Sequence, residues 1–236
     1  MRSVISIFFY FIFSIGFQAL SQNQTGAEIW TDYFHYHKLS GKWQFYSDAG
    51  VRFQSLNTSD NDWWRLHIRP SISYRRTTLL DLRGGIGIIY NNNDGNENST
   101  YFEFRPWQGA KIYWPVIGKL RFENYLRLEE RMTYNEQENE TGFSFKGRYQ
   151  ISTKVPLKNT SIVPNSFFIP ISLELFGDLF LDGEQYRSDK LRVTSGIGYR
   201  KTRNLDFLLR GIFQKSPTHD GVDAVIRFTV KQHFGF

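Results

Sequence analysis

The chain contains no cysteine, so no disulfide framework staples it and no lipid can be attached at a cysteine. It also lacks a second long apolar run: beyond residue 17 nothing approaches the roughly 20 apolar residues that a membrane helix needs. Mean hydropathy is accordingly negative, at -0.44. A clustered basic patch is missing too. The net charge of +6 comes from residues spread over every segment, which argues against nucleic acid as a partner. Aromatic residues, by contrast, reach 17%, a combination that suits neither a helical membrane protein nor an ordinary water-soluble domain.

The first residues, MRSVISIFFYFIFSIGFQALSQ, carry one basic residue, Arg2, and an apolar run from Val4 to Phe17. Ala19, Leu20 and Ser21 follow, with small residues where a signal peptidase inspects the chain. Residues 1–21 are expected to be a secretory signal peptide cut before Gln22, and residues 22–236 a single domain. A retained anchor helix is the alternative, but the run is short for a span.

The stretch KLRFENYLRLEERMTY, Lys119 to Tyr134, shows how the domain is built. Six of its eight even positions are apolar, while the odd ones hold Lys119, Arg121, Glu123, Tyr125, Arg127, Glu129, Arg131 and Thr133. Side chains of a strand alternate between faces, so the period of two predicts a strand; an amphipathic helix would leave Leu120 and Leu128 off its stripe. The same alternation recurs in Trp64–Arg75, Leu80–Tyr90, Tyr101–Trp114, Phe143–Val155, Phe167–Leu181, Leu191–Tyr199, Leu205–Phe213 and Ala224–Phe236. With Glu28–Lys38 and Lys42–Gln54 this makes eleven candidate strands and no helix.

Long polar linkers at 57–62, 91–99, 135–142, 182–189 and 216–221 alternate with mostly shorter ones at 75–78, 115–118 and 202–204; 155–166 is a long exception on the short side. Long loops on one rim and tight turns on the other predict an all-β, transmembrane, antiparallel up-and-down barrel. Single-chain bacterial barrels usually have an even strand number, so eleven candidates imply about ten or twelve, with the hairpin Glu28–Gln54 partly outside the wall as one option. The last strand sets Phe228, Val230, Phe234 and Phe236 on one face and ends on an aromatic, a pattern resembling the signal read by outer-membrane assembly machinery.

Trp30, Trp43 and the Arg127-x-Glu129-x-Arg131 register of LRLEER resemble an uncharacterised outer-membrane barrel family of Gram-negative bacteria catalogued only as a domain of unknown function. The resemblance spans nearly the whole mature chain. It implies fold and outer-membrane location and brings no activity with it.

From the residues themselves, an inward charge ladder of Glu103, Arg105, Arg121, Glu123, Arg127, Glu129, Arg131 and Arg148 is expected. From Lys42 onward the inward face carries more than twice as many basic as acidic residues. In a barrel of about ten strands such charges either pair into a plug or line a narrow anion-preferring pore. Trp43, Trp63, Trp64, Tyr90, Trp114 and Tyr134 fall near strand ends as an interfacial girdle, with Trp107 a member only if its inward register is wrong. Glu130 faces outward and is expected close to the outer rim.

Catalytic and metal signatures are weak. No His-x-Ser occurs, and His67 and Ser71 stand about 13 Å apart along a strand. His35 and His37 share a face without an evident third ligand, and the surrounding Trp30, Tyr33, Phe34 and Tyr36 place them in the girdle. NNNDGNENST does not fit a calcium loop, because Tyr90 and Tyr101 would occupy its first and twelfth positions. GGIGIIY lacks the third glycine and helix of a dinucleotide loop. The expectation is therefore a non-enzymatic, cofactor-free monomeric barrel in the outer membrane, structural or passively permeable, whose partners are lipid and the assembly machinery. The alternatives are a lipid-modifying barrel enzyme and a secreted soluble β-sandwich.

Overall fold

The computed structural model describes residues 27–54, 63–93, 100–158, 160–180, 187–215 and 222–235. The expected signal peptide and the terminal Phe236 lie outside them. The described residues form β1 (Ala27–Ser40), β2 (Trp43–Gln54), β3 (Trp63–Arg75), β4 (Leu80–Asn93), β5 (Tyr101–Tyr113), β6 (Glu123–Asn135), β7 (Glu140–Pro156), β8 (Ser166–Phe180), β9 (Arg187–Thr202), β10 (Leu205–Lys215) and β11 (Val222–Phe234). Each strand pairs with its sequence neighbours, and the sheet closes on itself as an eleven-stranded barrel.

The closure resolves the parity problem in a way the sequence did not suggest. An odd number of up-and-down strands brings two strands of the same direction together at the seam. Here β1 and β11 pair in parallel, from Ala27 opposite Ala224 to His37 opposite Phe234. The wall is thus antiparallel at every other junction, and the hairpin β1–β2 belongs to it over its full length. The count falls between the ten and twelve expected, because one parallel pair replaces an added or lost strand.

Alternation sorts the side chains as the two-residue period dictates. Leu66, Ile68 and Ile72 of β3, Leu126 and Leu128 of β6, Leu173 and Leu175 of β8, and Leu209 of β10 are exposed on the outer surface. Asp48, His67, Asp81, Glu103, Glu129, Glu174 and Asp206 are buried inside. One rim carries the two shortest connections among the described residues, β1–β2 and β9–β10; in the first, Gly41 adopts φ +47°, a left-handed conformation that glycine takes without steric cost. This is the turn rim, and the opposite ends of the strands form the loop rim.

The strand expected from Lys119 begins instead at Glu123. Ile117 and Leu120 close a small turn by exchanging backbone hydrogen bonds of 2.9 and 3.0 Å, which draws Lys119 and Leu120 out of the wall. Glu130 consequently lies well inside β6 rather than near its outer end.

The parallel seam makes a direct prediction. Because the chain has no native cysteine, Ile29→Cys combined with Ile226→Cys, partners across the seam, should oxidise to a disulfide and change the mobility of the folded protein on a gel. Tyr33→Cys with Ile226→Cys, offset along the strand by about 13 Å, should not link. A wall that excludes β1 would leave both pairs unlinked.

Candidate functional site

The interior draws acids and aromatics from β1 and β8, and most of its cations from the other strands. The inward face of β1 between Glu28 and Tyr36 carries Glu28, Trp30, Asp32, Phe34 and Tyr36. Trp30 is buried and donates its indole Nε1 to Glu28 Oε2 at 2.6 Å. Three guanidinium groups gather around its ring, Arg52 at 4.0 Å, Arg192 at 5.1 Å and Arg227 at 5.6 Å from the centroid. Cation–π attraction is strongest for Trp and grows as the pair is desolvated.

Asp32 follows two residues later. Arg227 Nε donates to its Oδ2 at 2.6 Å, and His67 Nε2 lies 3.2 Å from its Oδ1. These two strands, β1 and β3, are separated by β2, where Gly50 stands opposite both Asp32 and His67. A Cβ at Gly50 would come within 2.8 Å of Asp32 Oδ1 and 2.9 Å of His67 Cε1, so the missing side chain is what lets the two groups meet. His67 Nε2 also lies 3.3 Å from Asp48 Oδ2, which accepts from Arg69 Nε at 2.8 Å.

Two carboxylates and an imidazole at these separations are a possible metal-ligand set. The charges around them disfavour it. Arg227 and Arg69 already occupy one oxygen of each carboxylate, and Arg52 adds a third cation beside Asp32. A dication would be added to a region already neutralised, so the arrangement is an ion-pair node. Ser71 does not face His67; its Oγ donates to the Tyr46 carbonyl at 2.8 Å.

Further nodes repeat the pattern. Glu103 takes Arg105 at 2.5 and 2.6 Å. Glu129 lies 2.7 Å from Arg131, 3.1 Å from Arg127 and 3.5 Å from Arg105. Arg127 also stacks 4.0 Å over the inward-facing Trp107. Glu174 joins Arg148 and Arg192, each at 2.9 Å. Toward the turn rim, Asp81 accepts from Arg75 at 2.9 Å and from the Tyr113 hydroxyl at 2.7 Å, and Asp206 holds Arg200. The acidic side chains of the central nodes are at most 4% exposed, so they stand clear of solvent inside the wall.

Several expected residues fall into place, and others do not. Glu103, Arg105, Arg127, Glu129 and Arg131 form one connected group, whereas Arg148 binds Glu174. Glu123 faces inward but pairs with Lys111 at 2.5 Å, apart from that group. Arg121 is not in the ladder: it follows the Ile117–Leu120 turn, is exposed, and lies 5.4 Å from the Tyr113 ring. Trp43 packs on Tyr74 at 4.8 Å and Trp114 on Phe122 at 6.3 Å on the outer surface near the turn rim, and Trp64 on Tyr90 at 5.4 Å near the loop rim. Tyr134 is exposed there too. Trp63 points inward and sits 5.7 Å from Arg65, since neighbours on a strand cannot share a face. Trp30, Phe34 and Tyr36 are likewise inside, leaving Tyr33 beside the outward pair His35 and His37. Phe228, Val230 and Phe234 share the outer face of β11.

Asp32, Asp48 and Glu174 were not singled out from the sequence. Each is an isolated acid at an inward position of an alternating strand, and its partners come from strands whose register the sequence leaves open.

Fold and interior together define a closed β-barrel with a charged, self-paired lumen. The chain belongs to the family described as a protein of unknown function, DUF2490, whose profile matches residues 27–225. A comparison with curated proteins found no match.

Breaking a buried pair leaves a desolvated charge behind. Glu174→Ala, which strands Arg148 and Arg192, should lower unfolding stability by about 3–5 kcal/mol. Glu136→Ala, at an exposed acid, should stay within about 0.5 kcal/mol. Urea unfolding of the purified protein compares them.

Proposed function

We propose that this chain is an integral outer-membrane β-barrel whose lumen is closed by its own ion pairs, acting as a structural wall in the membrane. The observation that carries the membrane assignment is the outer surface. Exposed Leu, Ile, Val and Phe side chains encircle the barrel on β2 through β11. Water-soluble monomers rarely expose contiguous apolar patches beyond a few hundred Å². Aromatic pairs near both rims fit the two interfaces of a bilayer. The outward Phe228, Val230 and Phe234 of β11 suit recognition by the assembly machinery, and the expected signal peptide supplies a route across the inner membrane.

Passive anion permeability draws on the same basic excess in the lumen. The central nodes favour closure instead, because Asp32, Asp48, Glu103, Glu129 and Glu174 are nearly without solvent access between their cationic partners.

The membrane assignment is tested by depth. Leu128 stands mid-strand on the outer face of β6, whereas Tyr134 lies near its loop-rim end. In vesicles Leu128→Arg should cost about 2–4 kcal/mol and Tyr134→Arg about 0–1. Equal costs, or no cost at either position, would contradict the assignment, as would a product that stays soluble without detergent.

A further inference from the structure

Below the central nodes, the lumen holds cations that the protein does not neutralise. Lys111 of β5, Lys154 of β7 and Lys231 of β11 all stand near the turn-rim ends of their strands, at the level where β6 begins with Glu123, and all three act on that carboxylate electrostatically. Glu123 is already committed to Lys111 at 2.5 Å. Lys154 and Lys231 make ring contacts only, 5.7 Å from Phe168 and 5.3 Å from Phe34, and among the described residues neither has a carboxylate within ion-pair distance.

The neighbouring acid cannot help them. Asp206 stands opposite Lys231, but both of its oxygens are taken by Arg200, at 2.7 and 2.8 Å. Arg210, which also acts on Lys231, donates to Thr229 Oγ1 at 2.6 Å and leaves its buried Nε without a partner. Tyr36 and Tyr46, with rings 5.0 Å apart, line the same end of the lumen and extend toward Arg83 and Arg210.

We propose that this end of the lumen is a binding chamber for a small multivalent oxyanion of the phosphate class, held by Lys154, Lys231 and Arg210, with Tyr36 and Tyr46 supplying hydroxyl donors. Cation–π contacts orient an ammonium without cancelling its charge, so lysines facing one another retain their repulsion. An oxyanion with two or more charges relieves it and offers several acceptors to ammonium, guanidinium and hydroxyl donors at once. Glu123 competes for the same lysines. The chamber rests on the interior of the barrel and not on the membrane assignment, so either can fail alone.

Titration calorimetry of the purified protein in detergent tests it with inorganic pyrophosphate and phosphate against chloride at matched ionic strength. One site per chain is expected for both oxyanions, with tighter binding of pyrophosphate and weakening by salt. Lys231→Gln and Lys154→Gln should each weaken binding at least about tenfold. Glu123→Gln should tighten it, a gain that a misfolded variant would not show. Lys146→Gln, at a lysine paired with Asp178, should leave it unchanged. Absence of saturable binding, or binding indifferent to Lys154, Lys231 and Glu123, would overturn the proposal.

Discussion

Trp30 and Asp32, two residues apart on the inner face of β1, organise the centre of the barrel. Arg227 touches both, and Arg52 and Arg192 stack on the indole while His67 approaches the carboxylate. A guanidinium withdrawn from water loses several kcal/mol of hydration, and only well-placed partners recover it. Here the indole face and the carboxylate divide that task. Two neighbouring nodes connect to this one, Glu174 through Arg192 and the Asp48–Arg69 pair through His67.

The same strand closes the wall. An eleven-stranded up-and-down sheet must carry one parallel seam, and parallel pairing is slightly weaker per residue than antiparallel. β1 offsets this by what it contributes inside: it adds Glu28 and Asp32 to a lumen otherwise rich in Arg and Lys, and no inward cation between them. Seam and charge balance are thus two consequences of one strand. A ten-stranded barrel without β1 would have both its edges paired antiparallel and a lumen more strongly basic. Gly50 joins the two roles, since only a residue without a side chain lets Asp32 reach across β2 to His67.

Much of the fold was legible because alternation acts within a strand. The eleven segments and their inward and outward faces follow from the period of two; linker length separates the rims less cleanly, since β5–β6 and β7–β8 on the turn rim are longer than β6–β7 on the loop rim. The site was less legible because ion pairing acts between strands, where register decides. Arg148, expected in one ladder with Glu103 and Glu129, binds Glu174 instead; Arg121 kept the alternation of its stretch but follows a turn that removes it from the wall. Trp30, Phe34 and Tyr36 read as a membrane girdle, since aromatic composition alone does not separate an interface from a cation-stacking interior. The parallel seam had no signal in any single strand.

Closure of the lumen by these pairs leaves no continuous water path through the barrel. Single-channel recording in a planar bilayer, with insertion verified independently, tests it most directly. Folded protein with a closed lumen should show no discrete conductance across the voltage range that the bilayer withstands. Reproducible steps, with a reversal potential showing anion selectivity, would contradict it and make the basic lumen a conducting pore.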